Sequence, residues 1–177
     1  MLPIILYILL GIVLLVVILA IVAPKSYDVH RSILIDKPKE MVFDHVKLIR
    51  NHKIWSPWNL KDPNMTLTYE GTDGEEGFIS RWEGNKDVGA GYQTVINIVP
   101  NERMDNHLVF LKPWKSESNG YYIFEDAAPG QTKMTWGFKG KNKFPATLFM
   151  LLYNMDKVVG KEFKEGLQTL KNHLEEV

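Results

Sequence analysis

Five histidines, His30, His45, His52, His107 and His173, are the side chains of this chain best suited to proton transfer or metal binding. No two of them stand four residues apart on one helix, the spacing that lets two imidazoles hold one ion. The chain has no cysteine, which removes thiolate ligands, cysteine nucleophiles and disulfides together. Acidic pairs occur at Glu75-Glu76, in a turn-rich stretch, and at Glu175-Glu176, near the chain end, where both are expected to be solvated. Asp156-Lys157 reads as a helix-edge pair. There is no glycine-rich phosphate loop and no nucleophile elbow. Asn64-Met65-Thr66 matches a glycosylation acceptor, a three-residue pattern that is frequent by chance. The titratable residues nearest to acid–base work are Glu83, Asp105, His107 and Asp126, and strand parity turns His107 outward. This set leads us to expect no catalytic constellation, no metal and no cofactor.

Aromatic surface is the richer signal. Five tryptophans occur, all downstream of the first apolar run. Basic and acidic residues balance at 21 each, so there is no electrostatic footprint for nucleic acid. The length of 177 residues suits one domain.

From Leu2 to Ala23 no residue is charged. An apolar run of about 20 residues is what a helix needs to cross a hydrocarbon core, and this run shows no polar stripe. A cleaved signal peptide would want a basic start and a small residue where Ile21 stands. Residues 1–24 therefore read as a retained, single-pass membrane anchor, and residues 25–177 as the domain it carries. Lys25, Arg31, Lys37 and Lys39 follow the span and place the domain on the cytoplasmic side by the positive-inside rule.

Past the anchor, Tyr27 to Asp36 alternates as a strand, and Pro38 opens a short helix with Val42, Phe43 and Val46 on its apolar face. Arg50 to Trp55 is a second helical turn, ended by Ser56-Pro57-Trp58. Six strands follow, punctuated by turns: Met65–Glu70, Phe78–Glu83, Gly91–Val99, Met104–Leu111, Glu117–Glu125 and Lys133–Lys139. Then the period changes from two to 3.6. Leu148, Leu152, Met155, Val159, Phe163, Leu167, Leu170 and Leu174 predict one long amphipathic helix beginning near Pro145. A helix with an apolar stripe beside an antiparallel sheet with one apolar face has the sheet as its partner.

That order, and a series of short motifs, resembles the helix-grip fold of the SRPBCC, START-like or polyketide-cyclase-like superfamily, and in particular its membrane-anchored bacterial branch. The carrying residues are Arg31-Ser32-Ile33 to Pro38, Trp55-Ser56-Pro57-Trp58, Trp82-Glu83-Gly84-Asn85, Val99-Pro100-Asn101-Glu102-Arg103, Phe110-Leu111-Lys112-Pro113, Thr132-Lys133-Met134-Thr135-Trp136, and Met155-Asp156-Lys157 with Gly166-Leu167. The resemblance implies an α+β fold, a seven-stranded curved antiparallel sheet gripping a long C-terminal helix. It also implies a cavity between them for an apolar ligand, and it carries no catalytic residue onto this chain.

On this reading the cavity lining is Trp82, Val95, Phe110, Tyr122, Phe124, Trp136, Phe138, Phe149, Leu152, Tyr153 and Met155, which suits a hydrophobic or lipid-like molecule. The same stripe equally describes a filled core. Trp55-Ser56-Pro57-Trp58 reads either as a pocket lip facing the membrane or as a turn whose indoles pack on the sheet edge. Arg31, Gln93, Asn97 and Asn106 are the polar groups available to orient a ligand head. The functions open at this point are a membrane-tethered binding module, a cyclase, dehydratase or hydrolase acting on a hydrophobic substrate, and a protein-interaction domain with no small ligand.

Overall fold

The computed structural model describes residues 2–142, 144–151 and 153–176, and the side chains of these except Leu2, Ala146 and Phe149. The apolar N-terminal run is one helix, α1 (Leu2–Val22), long and apolar enough to cross a membrane. Only three residues separate it from β1 (Ser26–Ile35). Alternation in β1 turns Tyr27, Val29, Arg31, Ile33 and Ile35 to the inner side, as period-two geometry requires. Helix α2 (Lys39–Lys47), a 3-10 turn at Ile49–Asn51, α3 (His52–Trp55) and α4 (Pro57–Lys61) follow. Then come β2 (Thr66–Glu70), β3 (Ile79–Glu83), β4 (Ala90–Val99), β5 (Arg103–Lys112), β6 (Ser116–Ala128) and β7 (Gln131–Lys141). The chain closes with α5 (Ala146–Phe149) and α6 (Met155–Glu176).

All neighbouring strands are antiparallel, in the order β1-β7-β6-β5-β4-β3-β2. Hairpins join β2 through β7 in sequence, and β7 closes back onto β1. Register shifts at Ala90/Gly91 and Val95/Asn97 break the β4 ladder; such bulges bend a strand and raise its twist. The long helix α6 lies chiefly along β1, and α2 packs on β6 and β7.

The core sits where α3, α4 and α6 meet the middle of the sheet. Trp136 on β7 is its hub. Its ring stacks on Phe163 of α6 at 4.5 Å and on Tyr122 of β6 at 5.8 Å. Trp55 meets it edge-on at 4.9 Å and Trp58 at 5.5 Å. Each such pair contributes about 0.5–1.5 kcal/mol beyond area burial. Trp55 is 0% exposed, and its indole N–H has no acceptor among the described residues, a cost of about 1–3 kcal/mol that the packing must exceed. The two indoles of the Trp55–Trp58 turn thus pack on the inner face of the sheet at Trp136 of β7, the strand beside edge strand β1, with Trp55 buried and Trp58 half-buried.

Sequence periodicity extends the last helix back to Pro145, and the structure breaks it. The α5 turn ends at Phe149 and α6 starts at Met155. Asn154 causes the new start: its Oδ1 accepts the Lys157 backbone N–H at 2.8 Å, and Asp156 sits in the first turn, where an acid suits the helix dipole. Arg31 fastens that turn to β1 through both Asp156 carboxylate oxygens, at 2.8 and 3.0 Å, and the Asp156 carbonyl at 3.1 Å.

Gly166 sets the depth of α6 on the sheet. A Cβ there would stand 2.8 Å from both the Pro57 ring and the Trp136 indole, two rigid groups. Gly166→Ala gains about 1 kcal/mol of helix propensity but overpacks the core at about 1–3 kcal/mol. The variant is expected to be less stable than the parent by chemical denaturation, and a gain in stability would refute the close packing described.

Candidate functional site

Two halves of the inner sheet face differ. Towards the far ends of the strands the face is closed. Arg31, Trp136, Tyr122, Met104 and Ile98 stand in register across five strands, and the helices cover most of that row. Tyr122, Phe124, Trp136 and Val95 are buried, and Phe138 and Met155 pack half-buried against them. Of the expected lining, these six are parts of one packed core.

Towards the end of the sheet where α1 joins β1 the face is less covered. Leu67, Trp82, Gly91, Phe110 and Ser116 form the last row. Tyr69, Ser80, Gln93, Leu108 and Ser118 form the row before it. Leu67, Trp82, Gln93, Leu108 and Phe110 are all half-buried, although neighbours on β2, β3, β4 and β5 flank them. Gly91 lets the Trp82 indole lie across β4, since a Cβ would meet that ring at 2.6 Å. Trp82 then meets Phe110 edge-on at 5.8 Å. The result is an apolar floor of two aromatic rings and two leucines.

Polar groups border this floor. Asn106, on β5 beside Leu108, is 0% exposed. Its amide NH2 donates to Gln93 Oε1 at 3.1 Å, while its own Oδ1 has no partner among the described residues. A buried acceptor left unpaired costs about 1–3 kcal/mol. Tyr27 closes the β1 side, its hydroxyl 2.6 Å from Ser118 Oγ. Burial raises the Tyr27 phenol above its ordinary value, and burial does the same for Tyr69. Both rings therefore remain protonated and neutral at physiological pH.

Tyr153 stands outside the sandwich, 43% exposed. It lines an open cleft of about 310 Å³ with Pro24, Tyr27, Met150, Leu151 and Met155, beside the foot of α1. A second open cleft, of about 270 Å³, runs between α4 and α6 past Pro57, Leu60, Glu165 and Thr169. Leu152 and the side chain of Phe149 lie outside the described residues.

The acid–base candidates do not converge on the floor. Glu83 pairs with Lys112 at 2.8 Å, which holds its carboxyl below the usual range. Burial alone would raise Asp105, but hydrogen bonds from Arg103 and Asn97 outweigh it and keep the carboxyl low. His107 stands 3.6 Å from Glu117, and Asp126 pairs with Lys39 at the opposite end of the sheet at 2.6 Å. Asn97 thus serves Asp105 on the outer face, and Arg31 is committed to Asp156. Among the described residues no three His, Asp or Glu side chains are grouped to hold a metal ion.

Sequence reasoning missed Leu67 and Leu108, which parity with Trp82 and Phe110 would have found. It also passed over His52. This ring is buried against Trp55 and Tyr122 at 4.6 and 5.5 Å, with Nε2 2.8 Å from the Val46 carbonyl oxygen. The neutral ring donates that bond as its Nε2–H tautomer.

No protein-family model and no curated protein matches the chain. Solved structures do match in shape. The Zhui aromatase/cyclase from Streptomyces sp. R1128 aligns with a TM-score of 0.61 at 11% identity, over 85% of this chain and 94% of that one. The Aha1 dimer protein from Colwellia psychrerythraea aligns at 0.58 and 14%, over 84% and 96%. Ara h 8.0201 aligns at 0.57 and 11%, over 86% and 99%. These are likenesses of fold: the chain has the helix-grip architecture of SRPBCC and START-like proteins.

Burial pushes the His52 pKa down from 6.5 to about 4. Between those values the unfolded chain takes up a proton that the folded chain refuses. Stability is therefore complete above about pH 6.5 and falls as pH drops towards 4, by about 3 kcal/mol in all. Denaturant midpoints across this window are expected to drop for the parent and to drop less for His52→Gln, in which His45, also lowered by burial, keeps part of the slope; equal slopes in both would exclude His52 as a cause.

Proposed function

We propose that this helix-grip domain, residues 25–177, is a membrane-tethered binding module for a small hydrophobic or lipid-like ligand, with residues 1–24 as its anchor. The ligand rests on the half-buried inner face built from Leu67, Trp82, Leu108 and Phe110. Val95, Tyr122, Phe124, Trp136, Phe138 and Met155 back that floor from the packed half, and Tyr153 lines the cleft beside the foot of α1. The domain faces the cytoplasm, on the strength of the basic residues that follow the span.

The observation that carries this reading is Asn106 beside that floor. A fully buried acceptor with no partner, next to apolar surface left half-covered, suits an amphipathic molecule whose hydroxyl, amide or protonated acid supplies the missing donor. Gln93 and Ser80 lie in the adjoining register row. An anchored site also meets membrane-dissolved ligands at raised effective concentration.

One structural neighbour is an aromatase/cyclase by name, which keeps an enzyme in view. General acid–base catalysis needs a group poised near the working pH. Among the described residues, the titratable groups bordering the floor itself are Tyr27 and Tyr69, both raised by burial, so they act as hydrogen-bonding phenols. Binding is the function this chemistry supports.

Mass spectrometry of an organic extract of the purified full-length chain tests the proposal. A co-purifying lipid-like molecule is expected, lost in Phe110→Asp. In Asn106→Leu its retention is expected to fall by about 2- to 10-fold, the worth of one neutral hydrogen bond. A parent protein that carries nothing and takes up neither fluorescent fatty acids nor sterols would contradict the proposal and favour a protein-interaction role.

A further inference from the structure

The sequence from Phe144 to Tyr153, FPATLFMLLY, contains no charged residue. It lacks the polar side that α6 shows, so it is not the first part of an amphipathic helix. The α5 turn within it packs against α1. Among the described side chains of α1 only Val16, Leu19 and Ala20 are not fully exposed, and Ala23 just beyond it is buried. Their spacing of three and four residues marks one helix face. That strip begins six residues before Val22, which is about 9 Å of helix. A segment seated along it reaches the depth of the apolar span itself.

The β5–β6 turn lies at the same end of the domain. Ser26 pairs with Lys141 where β1 begins, and Phe110 pairs with Ser116 just below the turn. Trp114 in that turn is 80% exposed and Phe144 66%, and Leu151 and Tyr153 are exposed as well. Only Ala23, Pro24 and Lys25 join α1 to the sheet, a tether of at most about 10 Å. Lys25, Lys115 and Lys141 are exposed here, and none of them forms an ion pair among the described residues.

We propose that residues 144–153 and the Trp114 turn form a second membrane contact, seated at the headgroup–acyl boundary of the leaflet from which α1 emerges. The inference rests on reading α1 as a membrane span. Tryptophan and tyrosine favour that boundary, the apolar segment leaves water for the acyl edge, and the free lysines meet lipid phosphates. A patch of this kind exposed to water on a monomer marks an interaction surface, and the short tether makes the bilayer its occupant. The last row of the inner face, Leu67 to Phe110, ends at this rim, so the proposed ligand floor opens towards lipid.

The cysteine-free sequence allows single spin labels. Full-length Trp114→Cys, Phe144→Cys, Leu14→Cys and Ala128→Cys are labelled and reconstituted into vesicles of phosphatidylcholine and phosphatidylglycerol. Position 14 reports on the span. Position 128, exposed where β6 ends at the opposite end of the sheet, reports on water. Collisions with oxygen are expected to exceed those with a water-soluble nickel chelate at 14, 114 and 144, with the reverse at 128. A label in lipid at 14 with water-exposed labels at 114 and 144 would overturn the docked rim and leave the anchor standing. A water-exposed label at 14 would overturn both. Dipolar broadening at 114 that disappears on dilution with unlabelled protein would show a second copy covering the rim, and would also overturn the proposal. None of these outcomes depends on whether a ligand is bound, so they are independent of the extraction result.

Discussion

The contact between Gly166 of α6 and the Trp136 indole at Cζ3 is the constraint on which the rest of the structure depends. It brings a 22-residue helix against the sheet and leaves space beside it for Trp55, Trp58 and Phe163 around one indole. The stack is wide enough to fill the far half of the sandwich. It is not wide enough to reach the rows of β2, β3 and β5 at the end where α1 joins the sheet, which therefore keep Leu67, Trp82 and Phe110 half-covered. Core and candidate site follow from the same packing decision: the helix grips one side of a seven-stranded sheet and cannot cover the other.

Two fastenings hold that arrangement in place. Arg31 binds the first turn of α6 through Asp156, and Tyr27 ties β1 to Ser118 on β6. Both lie on the inner face of β1, Tyr27 at the end where α1 joins it and Arg31 in the row of Trp136, so directional bonds and aromatic packing hold the same face together. Lys171, which donates to the Leu34 carbonyl at 2.8 Å, secures the other end of the helix. Surface pairs of this kind add little stability individually; their effect is to fix where α6 lies.

Much of the fold was legible because a strand announces itself by period two. Met134, Trp136 and Phe138 alternate with Lys133, Thr135 and Lys139, and the register follows the same parity. Glycine and proline marked the turns, so strand ends differ by only a few residues. The long helix was misread because Leu148, Leu152 and Met155 continue the apolar spacing through a break that Asn154 and Asp156 signal by capping chemistry. The candidate site was less legible. Parity correctly turned Trp82, Phe110, Tyr122 and Trp136 to one face, but no local pattern says which part of that face a helix will cover. That depends on long-range contacts such as Gly166 with Trp136 and Trp55 with Tyr122. The unpaired acceptor of Asn106 is likewise invisible until its neighbours are in place.

The central claim is that the half of the inner face at the α1 end receives an apolar molecule. Photocrosslinking of the full-length chain in its membrane with a diazirine fatty acid, followed by peptide mapping, tests it most directly. The account predicts adducts on the strands carrying Leu67, Trp82, Leu108 and Phe110, reduced by an excess of unlabelled fatty acid. Adducts confined to α1 and residues 144–153, with none on those strands, would mean that lipid touches the protein only from outside, and would contradict the claim.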